Sequence, residues 1–361
     1  MKELQFSVVV LMTLMCSALI LLMPERVKRD VVCNRSRWLM VGGLALIGVQ
    51  FLMQYITQFR AIGVTQAVLI NLTLFVPASA LMSLSVITLG RQKKLSNIEK
   101  WGWLAVWLVI MGSLAIAVIT DGNPLERLSE RVRWTEAAMS FIYGVMQMWY
   151  SGLQLRELQR MQAAIENYYD RDRRGLTQWM KYAVAITALM AIFVPLLIFG
   201  PNIGLIIYGL IFFWGIFMMW FSFTRYFTSN DFKRVREAEE SVLTSDPSPL
   251  TSDNMQHINR AVEHWLATGA HLKAGITSPV AADAMSIPRY QLTAWVKASG
   301  HQSFTKWIIA QRIEEAKRVL TEHPDWTNEA VADHCGFRRA YFRSEERRVG
   351  KECRYRWSPY H

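Results

Sequence analysis

The feature that most limits how this chain can fold is a series of apolar segments that fills its first two thirds. A helix needs about 20 apolar residues to cross a bilayer, where it satisfies its backbone polar groups within the segment. Seven segments have this character: 6–23, 38–59, 67–89, 101–120, 138–155, 182–199 and 204–227. The sequence therefore predicts an all-α fold whose first domain, 1–228, is a seven-helix transmembrane bundle.

The loops between these segments differ in their content of Lys and Arg. Loops 24–37, 90–100 and 156–181 are rich in basic residues, whereas the alternate loops have few or balance them with Asp and Glu. Because basic loops stay in the cytoplasm, we expect the N-terminus outside and residue 228 onward inside. A cleaved signal peptide is the alternative for the first segment, but the basic residues follow that segment and no A-x-A-like site is present.

Polar residues within the predicted spans have two interpretations. Gln50, Gln54, Asn71 and Gln147 could line a ligand cavity, or they could form hydrogen bonds between helices. We favour hydrogen bonding between helices. No Asp, Glu, Lys or Arg lies in the middle of a span, which argues against an ion-coupled transporter.

The last third of the chain is polar and begins with a connection. Residues 229–253 predict a charged helix followed by a flexible linker, because they end in a stretch rich in Ser, Pro and Asp. From residue 254 the apolar positions recur with helical spacing, which predicts an amphipathic helix. These positions are Met255, Ile258, Val262, Trp265 and Leu266.

Two stretches of this last third repeat each other fifty residues apart. The matched pairs are Thr277 with Thr327, Ala282 with Ala332, Asp283 with Asp333, Ser286 with Gly336, Ile287 with Phe337, Arg289 with Arg339 and Leu292 with Phe342. Each copy has the spacing of a helix-turn-helix, and one long helix at about 303–321 joins them. Phe304, Trp307, Ile308, Ile313, Ala316 and Leu320 are its predicted buried residues. Two such units on a rigid connector can enter successive major grooves, so the predicted partner is double-stranded DNA.

The outward residues of the second helix in each copy are the candidate DNA-binding residues. They are Arg289, Tyr290, Gln291, Thr293 and Lys297 in the first copy, and Arg338, Arg339 and Tyr341 in the second. Arg and Gln side chains can read base edges, while Lys and Thr can contact phosphates.

Residues 277–342 resemble the DNA-binding domain of the AraC family of bacterial transcription regulators. The resemblance rests on Arg312-Ile313-x-x-Ala316-x-x-x-Leu320, on Val331-Ala332-x-x-Cys335-Gly336-Phe337 and on Phe342, while Asn328 departs from the family's usual aliphatic residue. It implies a cytoplasmic DNA-binding domain, 254–342, on a bacterial inner-membrane protein whose spans sense an unknown signal ligand. Membrane lipid is then a second partner. Dimerisation and the choice between activation and repression stay open.

The final nineteen residues, 343–361, resemble a translated sequencing-library adapter. The repeat predicts core residues at 345 and 346, matching Trp295 and Val296, but both positions are Glu. Burying two carboxylates there would be costly. We therefore expect an artefactual tail, a second unit truncated after Phe342 and poor DNA binding by this polypeptide. An unusual basic tail that binds phosphates is the alternative.

Other classes of site find little support in the sequence. The four cysteines are scattered, and neither a Cys/His cluster with metal-ligand spacing nor a nucleophile paired with a base is visible. We therefore expect no cofactor, no metal and no enzymatic activity. The alternative function is a multi-span receptor or transporter whose cytoplasmic helices bind protein.

Overall fold

The computed structural model describes residues 2–58, 64–91, 95–121, 129–170, 175–199, 202–228 and 252–337. Helices and short connections make up this part of the chain, without a β-sheet, so the predicted all-α class is confirmed. Within it, residues up to Met161 and 175–228 form one compact unit, and 162–170 with 252–337 form a second. The second unit thus includes a stretch that the sequence analysis assigned to the membrane domain.

The first unit consists of eight helices in the described ranges. They are α1 (Lys2–Leu21), α2 (Glu25–Arg29), α3 (Val31–Thr57), α4 (Val64–Gly90), α5 (Asn97–Asp121), α6 (Glu130–Glu166, which continues into the second unit), α7 (Gly175–Phe199) and α8 (Asn202–Thr228). Five stretches are long and apolar enough to cross a membrane: Glu3–Leu21, Val31–Thr57, Val68–Gly90, Asn97–Asp121 and Ile207–Thr228. The other two predicted spans lie in α6 and α7, outside these five, and the seven-span count and the orientation stay predictions.

Hydrogen bonds between helices occupy the polar residues of α3 and α4. Gln50 and Gln54 both donate through Nε2 to Asn71 Oδ1, at 2.6 and 2.9 Å. The backbones also approach closely, since a Cβ on Gly43 would lie 2.8 Å from the carbonyl oxygen of Ala78. For α3 and α4, the interpretation of Gln50, Gln54 and Asn71 as residues that form hydrogen bonds between helices is confirmed.

The second unit contains five further helices and a short 3₁₀ turn at Ala270–Leu272. The helices are α9 (Ser252–Ala267), α10 (Ser278–Ala284), α11 (Arg289–Ala298), α12 (Phe304–Glu322) and α13 (Asn328–His334). Helix α9 buries Ile258, Val262 and Trp265, as its apolar spacing predicted.

Helix α12 is shared by two hydrophobic cores of this unit. Trp307 and Ile308 pack with residues of α9, α10 and α11, whereas Ala316 and Val319 pack with residues of α13. The prediction that Leu320 is buried is wrong, because Leu320 is 40% exposed while Val319 is 2% exposed. Val319 and Leu320 are consecutive residues and therefore point to different sides of α12. Only the side of Val319 faces the second core.

Candidate nucleic-acid interface

The two predicted turns have the same backbone hydrogen bonds, fifty residues apart. Ile287 N–H donates to Ala282 O (3.1 Å) and Ser286 N–H to Asp283 O (3.0 Å), matched by Phe337 N–H to Ala332 O (2.8 Å) and Gly336 N–H to Asp333 O (3.2 Å). The left-handed residue is Ser286 in the first turn, with φ +54°, and Gly336 in the second, with φ +73°. Such bonds around a left-handed residue end a helix and turn the chain sharply. The sequence repeat is therefore also a repeat of backbone geometry.

Helix α11 follows the first turn and begins after Pro288. Its Leu292 and Val296 are buried in the first core. Trp295 is half-buried, and its Nε1 donates to Asn259 Oδ1 at 2.6 Å. These contacts fix which face of α11 points inward.

The predicted DNA-binding residues of α11 lie away from that core. Tyr290, Gln291 and Thr293 are half-buried, and Lys297 is exposed. Gln291 Nε2 donates to Tyr290 OH at 3.3 Å, and Thr293 Oγ1 donates to the carbonyl oxygen of Arg289 at 3.0 Å. The structure thus brings these four residues onto one short helix. Arg338, Arg339 and Tyr341 lie outside the described residues.

Arg289, the first residue of α11, is engaged by its own chain. Its Nε donates to Ser278 Oγ at 3.0 Å, and its guanidinium carbon lies 5.7 Å from the centre of the Tyr168 ring. A cation within ~6 Å of an aromatic ring centre is attracted to the ring face. Sequence reasoning predicted a side chain directed at DNA and had no reason to expect Tyr168 beside it.

Tyr168 belongs to a segment that we call the docking segment, residues 166–170. Its Tyr169 lies opposite Thr277 in an isolated antiparallel bridge. Ser278 N–H donates to Tyr168 O at 2.8 Å, and Asp170 N–H donates to Ile276 O at 3.1 Å. The segment is therefore paired, through its backbone, with the residues that lead into α10.

Asp170 joins the docking segment to α12 through a buried ion pair. Its Oδ2 accepts from Arg312 Nη2 at 2.8 Å, and from the backbone N–H groups of Gly275 and Ile276 at 2.8 and 3.2 Å. The side chains of Asp170 and Arg312 are 1% and 2% exposed. When one partner of such a pair is removed, the other is left as an uncompensated buried charge, which costs about 3–5 kcal/mol.

Arg312 also holds the stretch that precedes α10. Its Nε donates to His271 O at 2.9 Å and its Nη2 to Lys273 O at 2.8 Å. Burial lowers the pKa of the His271 imidazole below its usual value, so the neutral ring is favoured there. Burial also raises the pKa of the Cys335 thiol to about 11, which keeps this cysteine of the second turn protonated and unreactive at neutral pH.

Sequence reasoning found Arg312 as part of a family-like motif but missed Asp170. The aspartate stands in the loop between two apolar segments, and the next four residues, 171–174, are three arginines and a second aspartate. No local spacing links it to a helix that begins more than a hundred residues later. The one available signal was weak, because Asp170 is one of several acidic residues in a loop where Lys and Arg are in excess.

Gln147, one of the polar residues considered for ligand binding, lines a small cavity in the first unit. It measures about 40 Å³ and lies among Ile47, Phe75, Ala78, Ser79, Met82, Ser83, Tyr143, Gln147, Thr187, Phe212, Ile216 and Met219. Gln147 Nε2 donates weakly to Ser83 Oγ, at 3.4 Å. The space suits a few water molecules, since one water needs ~10–15 Å³. It therefore identifies no signal ligand.

Comparison of the chain with protein-family models found no matching family. Comparisons with curated proteins and with solved structures found no matching protein.

Proposed function

We propose that this chain is a membrane-embedded transcription regulator that binds promoter DNA through two helix-turn-helix units and senses a signal through its transmembrane helices. The observation that carries the proposal is the repeated turn, with equivalent backbone hydrogen bonds at Ile287 and Phe337. A single turn of this kind is common where one helix follows another. Two copies on a shared helix are what a reader of two successive grooves requires.

The length of α12 supports this arrangement. It has 19 residues, which at 1.5 Å per residue gives a rod of about 28 Å. Successive major grooves on one face of B-DNA are ~34 Å apart. A connector of this length matches two units that contact neighbouring grooves, once the width of the flanking helices is added.

The chemistry of α11 fits the first groove. Arg289 and Gln291 have the donors that bind guanine and adenine edges, while Thr293 and Lys297 suit phosphate oxygens. Acidic residues are absent from α11. Phosphate repulsion is thereby avoided along the whole helix.

The test is duplex binding by the full chain in lipid nanodiscs, measured by fluorescence anisotropy on duplexes enriched from a random pool. We expect weak binding, carried by the first helix-turn-helix, that falls further as salt is raised, because Lys and Arg release counterions from phosphates. Arg289→Ala should weaken binding about tenfold with little change in salt slope, since one good base contact contributes ~1–3 kcal/mol. Lys297→Ala should lower the salt slope by about one.

Arg318→Ala is the matched control for the lost positive charge. Arg318 is an exposed residue of α12 whose guanidinium pairs with Glu315 and Glu322 on the same helix. Its removal should leave binding within about twofold. Equal losses for Arg289→Ala and Arg318→Ala would mean that only net charge matters and would count against groove reading.

The second candidate is a receptor or transporter whose cytoplasmic helices bind protein. One observation favours it: the edge formed by Ser278 and Arg289 already holds a peptide segment of this chain. The same titration separates the two functions. Absence of duplex binding at 50 mM salt, with the second unit folded, would favour the protein-binding alternative.

A further inference from the structure

We propose that the docking segment and duplex DNA compete for Arg289, so that the chain's own loop controls access to the first helix-turn-helix. This inference rests on the function proposed above and adds its regulation. The docking segment is the partner of one surface, formed by Ile276, Thr277, Ser278 and Arg289. Release of the segment frees the surface for DNA.

The docking segment is held in the second unit by several hydrogen bonds. Tyr168 and Asp170 each form a backbone hydrogen bond with the strand-like stretch before α10. Thr305 Oγ1 donates to Glu166 O at 2.7 Å and also to Tyr169 O. Tyr168, Tyr169 and Asp170 are all buried. Side-chain and backbone hydrogen bonds thus hold the docking segment on this surface at both of its ends.

Tyr168 and Ser278 together determine where the Arg289 guanidinium lies in the docked state. To read a guanine, the guanidinium must point into the groove and donate two hydrogen bonds in the plane of the base. In the docked state Ser278 Oγ accepts from its Nε, and the Tyr168 ring lies beside its guanidinium carbon. These contacts hold the guanidinium beside the docking segment. A duplex that approaches Arg289 closely enough to read a base therefore meets the docking segment, and we expect it to displace Tyr168.

The docking segment follows directly from α6 in the chain. The segment begins at Glu166, the last residue of α6, and α6 also contains the predicted fifth span and the cavity residue Gln147. No linker lies between α6 and Tyr168. Movement at the C-terminal end of α6 would therefore alter the contact with Arg289. The charged helix and linker predicted at 229–253 lie, up to residue 251, outside the described residues.

A reversible cross-link tests the competition. Tyr169 and Thr277 form a non-hydrogen-bonded antiparallel pair, because the flanking residues donate the two backbone bonds. Cα atoms of such a pair are ~4.5 Å apart, within the range that a disulfide spans. The full chain carrying Tyr169→Cys and Thr277→Cys is placed in nanodiscs, oxidised with diamide, and titrated with the enriched duplex. We expect at least tenfold weaker binding than in the reduced protein, with recovery on adding dithiothreitol.

The controls separate the effect of the cross-link from the effect of oxidation itself. The single variant Thr277→Cys, oxidised in the same way, should bind as its reduced form does. Duplex DNA added before diamide should slow formation of the cross-link, because bound DNA displaces the segment. Equal binding by the locked and reduced proteins would overturn the competition and leave the proposed function intact.

Variants of Tyr168 give a second measurement that needs no cross-link. Tyr168→Ala should tighten duplex binding about threefold to tenfold, because Arg289 no longer loses its ring contact on release. Tyr168→Phe keeps the ring and should bind as the unaltered chain does. In an Arg289→Ala background, Tyr168→Ala should change nothing.

Three further outcomes would each contradict the competition between the docking segment and DNA. Failure of the cysteine pair to cross-link, together with unchanged binding by Tyr168→Ala, would show that the segment is not docked. A cross-link that forms readily in a chain that binds no duplex in any state would refute DNA binding itself, and the competition with it. Weakened binding by Tyr168→Ala would overturn the inference, since the segment would then assist DNA instead of excluding it.

Discussion

The two turns of the second unit share a backbone and differ in how they are packed. Ser286 in the first turn is exposed, although it has φ +54°. Gly336 in the second is buried, with φ +73°, and a Cβ placed on it would lie 2.0 Å from the carbonyl oxygen of Leu272. The comparison teaches that repeated local geometry does not imply repeated tertiary contacts. The backbone sets the turn, whereas the neighbours set which residues each turn accepts.

The second turn and the docking segment contact the same stretch of chain. Gly336 packs on Leu272, and the docking segment binds Gly275 and Ile276. Arg312 bonds to carbonyl groups between these two contacts. Residues 271–277 therefore lie between the docking segment and the second turn, and substitutions on either side can test how far the second unit depends on this stretch.

The largest effect should come from removing the acid that holds the docking segment. Asp170→Ala leaves the Arg312 guanidinium buried without its counter-charge, and we expect a loss of about 3–5 kcal/mol in the stability of the second unit. Hydrogen-exchange mass spectrometry on the full chain in nanodiscs would measure it, as the free energy of opening of amides in 252–337.

A double substitution shows whether that loss comes from the uncompensated charge. Asp170→Ala with Arg312→Met should be less destabilised than Asp170→Ala alone, because no charge remains buried. Asp283→Ala removes an exposed acid from α10 and should change stability by no more than about 0.5 kcal/mol. An Asp170→Ala protein as stable as the Asp283→Ala protein would contradict the role given to the pair.

The second effect tests the packed turn. Gly336→Ala adds both a left-handed strain of ~1–2 kcal/mol and a clash with the backbone at Leu272, so we expect a total loss of about 3 kcal/mol. Gly300→Ala is the matched control, because Gly300 has φ +86° and open space where its Cβ would stand. It should lose only the strain. Similar losses at both sites would mean that the close approach to Leu272 has no energetic weight.

The smallest effect tests the open turn. Ser286→Gly relieves the left-handed strain without altering any packing, and we expect a gain of roughly 0.5–1 kcal/mol in the opening free energy of the first core. Exchange of amides in α10 and α11 would report it. A loss of stability would show that the Ser286 side chain makes a contribution that its exposure does not suggest.

Local patterns predicted most of the second unit. The pairing of Ser286 with Gly336 in the repeat predicted a turn in each copy, and both residues have a left-handed backbone. Apolar spacing placed α9 and α12 within a residue or two of their ends. Spacing is less informative at the end of α12. Val319 and Leu320 are both aliphatic, and only the position of α13 decides which of them is buried.

Long-range contacts could not be predicted in the same way. Asp170 and Arg312 are 142 residues apart, and neither residue has a local pattern that names the other. The membrane spans illustrate a related limit. Length and apolar composition identified the five stretches that qualify, but α6 runs for 37 residues and has charged residues on both sides of the predicted fifth span. Composition along such a helix does not say where the bilayer begins.

The ion pair between Asp170 and Arg312 also dictates an order of events during synthesis. The ribosome makes Asp170 long before Arg312, and α7 and α8 are translated in the interval. Contacts between residues this distant form slowly, because a long loop must close first. Asp170 therefore has no Arg312 to pair with until α12 has been synthesised. A ribosome that stalls before α12 leaves the second unit without this ion pair.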